Sequence, residues 1–429
     1  MNPIHYPELD ETVYREVLEN GLTVTVVPRK GFTKTLAYFA TDFGSIHTDF
    51  TFEGETYHVP AGIAHYLEHK LFDMPDGRDV SAEFASYGAV TNAFTSYDMT
   101  AYYFSGTEHF DECLKLLLEF VSTPYFTEES VKKEQGIIDQ EIGMNEDAPE
   151  SVIFEKLMEL LFRKHPIRVP ILGNCETIRQ ITPELLHLCH KAFYNPANML
   201  LCVVGDVDAG RVADIARQVL GTERREVGCK LKDWEETESV GNTQSKRAME
   251  VAMPMFNMAF RGEPTGRGEE AIRREMVADL AAEALFGESS ELYLRLYEAG
   301  HIDSSFGGGF ETLDGCAMLM ASGDSYEPEK VRDAILEQAE RIAATGLEET
   351  DFLRLKRSAL GRRIRGLDSF DSTCFRVCAY HFSDFDYFRF PEIYRNIEER
   401  EIRDFLKQTV TRENCGLSVI IPIQKEAAT

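Results

Sequence analysis

No stretch of this 429-residue chain is apolar for long enough to span a bilayer, and Met1 to Pro7 lack the basic segment followed by an apolar one that marks a secretory leader. The nine cysteines are odd in number and include no C-x-x-C pair, which argues against a disulfide framework and for free thiols in a reducing compartment. A cytoplasmic protein is expected. Cys374 and Cys378, four apart, are read as core residues rather than ligands. Basic residues are the scarce charge: 45 Lys and Arg against 73 Asp and Glu leave a formal net charge of −28, which disfavours nucleic acid and anionic membrane as partners. Solvated acidic helix faces account for most of that excess. Hydrophobic residues make up 43% of a chain too long for one ordinary core, so two or more domains are expected.

Against that background one stretch stands out, Gly62 to Phe72. Ile63, Leu67 and Leu71 recur every four residues and predict a helix with one buried stripe. His65 and His69, at i and i+4, share another stripe, where two imidazoles can grip one ion. Glu68, three residues after His65, stands where a carboxylate can take a proton from water activated by that ion. The order is H-x-x-E-H, that of the inverzincins. A histidine pair at this spacing also arises on amphipathic helices where the rings merely hydrogen-bond, so the flanking sequence matters.

From Ala61 through Phe72 that flank resembles the pitrilysin, insulinase and mitochondrial processing peptidase family, and is most similar to small bacterial members with one duplicated unit per chain. The resemblance continues at Val131 to Ile142, where Glu134 and Glu141, seven apart, share a helical face. In the family the later Glu of such a pair binds zinc, which implies His65, His69 and Glu141 as three ligands with one position open for water. Glu134 would then orient a ligand, and Asp139 and Glu146 are the nearest rivals of Glu141. Asn92-Ala93-Phe94-Thr95 resembles the family's edge strand that pairs with substrate backbone beside the metal, so Asn92, Ala93 and Phe94 are candidate substrate contacts. Without the resemblance, residues 89–104 are an ordinary hairpin turning at Tyr97-Asp98.

Along the chain, Arg15 to Pro28 alternates around the hairpin signal Asn20-Gly21, and Thr35 to Phe43 predicts a strand. Ser45 to Val59 reads as an irregular polar loop. Helices are predicted from Asp79 or Ser81 to Tyr87, Glu108 to Val121, from Thr127, Glu150 to Phe162, Thr182 to Tyr194 and to Leu220, with a strand at Leu200 to Gly205. His187 and His190 are read as structural. Residues 221–246, which hold the single Trp at position 234, read as a linker. The element order then starts again: strands at Ala248–Met253 and Met255–Arg261, helices at Gly268–Leu285 and Ser290–Ala299, strands at Ile302–Phe310 and Cys316–Ser322, helices at Glu327–Ala344 and Glu349–Gly366, and a last strand at Leu417–Ile421. This is a degenerate internal duplication without the metal residues.

The fold class expected is α+β: a zinc-bearing domain over residues 1–220 and a related one over 247–429, each a mixed sheet with helices on one side, together half of a clam-shaped chamber. The resemblance implies a Zn2+-dependent peptidase that hydrolyses enclosed peptides with Glu68 as base. Active members carry, in the second half, an Arg and a Tyr seven apart that stabilise the substrate carbonyl and oxyanion. Here Arg295 is the Arg that fits, but position 302 is Ile and 303 is Asp. Either Tyr293 or Tyr297 takes over, or the donors come from another chain, a homo- or heterodimeric paralogue. The alternatives are a non-catalytic scaffold or assembly subunit, and a maturation factor dedicated to one peptide or modified protein.

Overall fold

The computed structural model describes residues 1–224, 229–236, 238–241 and 243–423. Strands β1 (Asn2–Tyr6), β2 (Glu11–Val17) and β3 (Thr23–Pro28) form a meander, and β4 (Thr35–Thr41) follows. The stretch expected to be an irregular loop contains a hairpin, β5 (Asp49–Phe52) and β6 (Glu55–His58), turning at Glu53-Gly54, where both residues have positive φ. Next come helices α1 (Ile63–Lys70) and α2 (Val80–Ser86), hairpin β7 (Val90–Thr95) and β8 (Thr100–Gly106), and helices α3 (Phe110–Val121), α4 (Glu128–Asp147) and α5 (Pro149–Leu161). Helices α6 (Cys175–Ile178) and α7 (Pro183–Phe193), strand β9 (Met199–Gly205) and α8 (Ala209–Leu220) complete this half.

Strand β10 (Lys230–Leu231) pairs with β5, so part of the expected linker belongs to a sheet; positions 225–228, 237 and 242 lie outside the described residues. The second series is β11 (Thr243–Met249), β12 (Met255–Arg261), α9 (Glu269–Phe286), α10 (Glu291–Glu298), β13 (Gly307–Leu313), β14 (Cys316–Asp324), α11 (Pro328–Thr345) and α12 (Glu349–Gly366). The strand expected from Ile302 starts at Gly307 instead, because residues 303–306 form a turn in which the Asp303 carboxylate accepts the Ser305 N–H at 2.8 Å and the Asp303 carbonyl accepts the Phe306 N–H at 3.2 Å. Then follow α13 (Phe370–Phe382), the helix that carries the expected core residues Cys374 and Cys378, α14 (Phe390–Asn396) and α15 (Glu399–Thr409), which the sequence patterns did not mark, and β15 (Cys415–Pro422).

Two compact units result, and neither is contiguous. The first comprises 1–142, 170–232 and 364–389; the second comprises 143–169, 233–363 and 390–429. A division at 220 and 247 misses this, because each half of the sequence gives a helix to the other half's sheet. In the first unit the strand order is β1-β2-β3-β9-β4-β8-β7, and in the second β11-β15-β12-β14-β13. The last five strands of the first sheet and the five of the second follow one scheme. A parallel pair (β3 with β9, β11 with β15) is followed by antiparallel neighbours out to an edge strand, β7 or β13. The duplication read from element order is thus written in the pairing as well.

Helices crowd one face of each sheet, as expected, and a single helix covers the other. In the first unit that single helix is α13, packed on β9 and β4, both of which are buried along their full length. Burial on both faces explains why Leu36 to Ala40 and Met199 to Val204 are continuous apolar runs rather than alternating ones. In the second unit α5 does this on β15, β12 and β11, with Leu157 and Leu161 lying over Gly416. The end of α5 is tied down by Glu236, whose Oε1 accepts the backbone N–H groups of Arg163, Lys164 and His165 at 3.0, 2.5 and 2.7 Å. Among the described residues no helix is long and apolar enough to cross a membrane.

Candidate metal centre

Helix α1 starts where two backbones nearly touch. Gly62 has φ 92° and a Cβ there would lie 2.4 Å from the Leu172 carbonyl oxygen; Gly173, φ 70°, faces the Ala61 carbonyl at the same distance. Only glycine satisfies both the left-handed backbone and the close approach. From this fixed entry α1 runs buried on nearly all sides. Ile63, Leu67 and Leu71 enter the first unit's core, and the Tyr66 hydroxyl donates to the Val131 carbonyl on α4.

Helix α4 is seated by Val131, Ile138 and Ile142, its buried stripe. Glu134 and Glu141 border that stripe and so point toward α1. Glu141 Oε1 lies 3.6 Å from His65 Nε2, and its Oε2 lies 3.8 Å from His69 Nε2. Ligand atoms of these three side chains all fall within 4.8 Å of one another, the one such group of His, Cys, Asp and Glu among the described residues. The separations are too long for hydrogen bonds. They suit groups that share an ion, since ligands about 2.0–2.2 Å from a tetrahedral centre sit roughly 3.3–3.6 Å apart.

Glu134 Oε1 is 3.0 Å from His69 Nδ1, so the Nδ1–H donates to the carboxylate and Nε2 keeps its lone pair for the space shared with His65 and Glu141. Behind Glu134 the buried Lys70 ammonium lies 3.8 Å from its other oxygen, bonded to Asp73 and to the Ser130 carbonyl. Burial, with the neighbouring His69 charge, pulls His65 down to about 4, so this ring is neutral and able to donate electrons. Burial acts the same way on His69, but the Glu134 hydrogen bond and the charges of Glu68, Glu134 and Glu141 outweigh it and raise that ring. The donor set, two imidazoles and one carboxylate, fits a borderline cation such as zinc.

Glu68 stands apart from the three. It is 8% exposed, burial raises its pKa, and its Oε2 accepts the Thr95 hydroxyl at 2.6 Å. Thr95 ends β7, the edge strand of the seven-stranded sheet. Asn92 and Ala93 lie on that edge, the Asn92 side chain accepting the Ala93 N–H at 2.9 Å. Phe94 points to the opposite sheet face, its ring against Tyr38, Tyr103 and Phe375. The rivals of Glu141 are not part of the group: Asp139 sits 3.8 Å from Arg179, and Glu146 is exposed. His190 bonds the Val121 carbonyl and His187 packs on Phe126. Arg295 belongs to the second unit, 3.5 Å from Glu337, and beside it Tyr293 and Tyr297 stack on each other. Sequence reasoning missed the Thr95–Glu68 and Lys70–Glu134 contacts. Lys70 adjoins His69, and Thr95 belongs to the singled-out Asn-Ala-x-Thr segment, but no spacing rule links a strand end to a helix 27 residues away.

Residues 54–174 match the family model described as insulinase, peptidase family M16, and residues 180–359 match that of the peptidase M16 inactive domain. An uncharacterised zinc protease of Bacillus subtilis, YmfH, is 36% identical over 433 residues, across 98% of this chain and 99% of its own. The crystal structure of an M16-like peptidase from Alicyclobacillus acidocaldarius matches with a TM-score of 0.90 at 29% identity, over 96% of this chain and 98% of that one. The periplasmic protease PqqL of Escherichia coli shares the fold alone, with a TM-score of 0.73 at 16% identity, over 99% of this chain and 48% of that one.

Proposed function

This chain belongs to the M16, or insulinase, peptidase family, and from that premise we propose that it is a zinc-dependent metallopeptidase acting on peptides. His65, His69 and Glu141 would hold the ion. A zinc ion bound there supplies a Lewis acid that polarises water and the scissile carbonyl. Glu134 keeps His69 in the tautomer that binds. Glu68 takes a proton from the attacking water and delivers it to the leaving amine. The backbone edge of β7 at Asn92 and Ala93 aligns an extended substrate by strand addition. The observation that carries this reading is the placement of two imidazole nitrogens and a carboxylate around one point, with a separately anchored carboxylate between the two histidines in sequence.

The test is Glu68→Gln. It should leave one zinc per chain and lower hydrolysis of a fluorogenic peptide pool by about 10²- to 10⁴-fold. Full hydrolysis by that variant would exclude the assigned role.

The second unit supports a two-subunit reading, in that Ile302 is a buried core residue where the resemblance leads one to expect a tyrosine. In this reading a paralogue supplies the Arg and Tyr, and Arg295 contributes only in part. Seven of the nine cysteines are buried, in keeping with core side chains in a reducing, cytoplasmic setting. The scaffold alternative is disfavoured because every residue of the metal group is present.

A further inference from the structure

We propose that Thr95 is a positioning residue for the hydrolysis assigned above, its hydroxyl holding one oxygen of Glu68 so that the other is presented to the attacking water. The inference rests on that reading of Glu68. A glutamate has three rotatable bonds. In a pocket shared with the Glu141 carboxylate and two imidazoles, nothing in its own helix fixes where its oxygens lie. The Thr95 hydroxyl does so at 2.6 Å from Oε2, a short, charge-assisted bond. It leaves Oε1 for proton transfer.

The donor is itself held. Thr95 is β-branched, so its χ1 is stiff, and it stands opposite Thr100 in the β7–β8 register. The Thr100 hydroxyl lies 3.5 Å from that of Thr95 and donates to the Phe43 carbonyl at 2.8 Å. Its single hydrogen is therefore committed elsewhere, and the Thr95 hydrogen goes to Glu68, since an ionised carboxylate only accepts and lies at 2.6 Å against 3.5 Å for the Thr100 oxygen. The turn that follows is locked as well: the Ser96 N–H donates to the Met99 carbonyl at 2.7 Å, and the Ser96 hydroxyl bonds Asp98 at 2.8 Å. The hydroxyl thus reaches Glu68 from a braced hairpin end, on the same strand whose edge is proposed to align substrate.

The experiment compares Thr95→Val, Thr95→Ser, Glu68→Gln and the Val/Gln double variant, using full-length protein in the assembly that cleaves a fluorogenic peptide. Zinc affinity by chelator competition, kcat and KM are measured for each. Valine keeps the shape and the strand preference without the hydroxyl. Thr95→Val should keep zinc affinity and KM within about twofold while kcat falls roughly 10- to 100-fold, the scale of one buried hydrogen bond to a charged group. Serine should restore most of kcat, and on the Glu68→Gln background valine should cost less than about threefold more. Should the valine variant not fold, Thr95→Ala replaces it with the same expectations. Wild-type kcat in Thr95→Val beside an impaired Glu68→Gln overturns the inference and spares the reading of the site. So does a loss that is fully additive in the double variant, or one that comes with lost zinc. An unimpaired Glu68→Gln overturns the reading of the site itself.

Discussion

Glu134 touches one member of the candidate metal group, His69, without joining the group. Its carboxylate accepts the His69 Nδ1–H and is backed by the buried Lys70, so its position is set from both sides. Replacing it by alanine should weaken zinc affinity about 10- to 100-fold in a chelator competition, whereas Asp139→Ala should leave it unchanged. His190 makes a different prediction. Burial pushes its pKa to about 4, against roughly 6.5 in an unfolded chain, so the unfolded state takes up the proton first. Its stabilising contribution is complete above about pH 6.5 and is lost progressively as pH falls toward 4, by at most roughly 3 kcal/mol. Urea midpoints at pH 7 and pH 4.5 should differ less in His190→Gln than in the wild type. At this scale the sequence was legible wherever a helix supplied the ruler: steps of four and seven fix relative direction, which is why His65, His69 and Glu141 could be grouped from spacing and resemblance. Thr95 and Lys70 were named or neighboured but not connected, since a hydrogen bond between a strand end and a helix leaves no periodic trace.

Helix α1 depends on its entry as much as on its own residues. Gly62→Ala forces both a disfavoured φ and a clash with the Leu172 carbonyl, and should lower the thermal midpoint by the equivalent of roughly 1–3 kcal/mol. Gly31→Ala, also at positive φ but with nothing near, isolates the backbone share of that cost and should cost less. Long, strongly patterned elements such as α3, α9 and α11 were readable from their apolar stripes. The β5–β6 hairpin was not, because its strands are four residues each and mix aromatic with polar side chains around Glu53-Gly54, a weaker signal than Asn20-Gly21. Likewise α14 was not readable, because seven residues opening on Phe390-Pro391 give the helical period little length in which to show.

The whole molecule is two units that share one pairing scheme, each completed by a helix from the other half of the sequence. A cut in the linker should therefore fail to release two stable domains: a fragment ending at residue 224 lacks α13 and keeps α5 without its sheet, and should show poor dispersion in NMR spectra. Addition of the complementary fragment should restore it. Function is expected to need more than this chain. Zinc-loaded and alone it should cleave peptides weakly, and a paralogue carrying the missing Arg and Tyr should raise turnover by about 10²-fold or more, the cost of even one absent oxyanion donor. Robust turnover by the isolated chain, insensitive to Arg295, would show that no partner is needed. The late position of α13 in the sequence also has a consequence in time. Tyr38 and Cys202 face α13, yet between synthesis of residue 205 and residue 382 roughly 10 to 35 seconds pass at about 5–20 residues per second. For that interval the nascent chain carries a completed, greasy sheet face with no lid of its own. Its survival in a crowded cell is then a matter for the ribosome surface and the chaperones waiting at the exit tunnel.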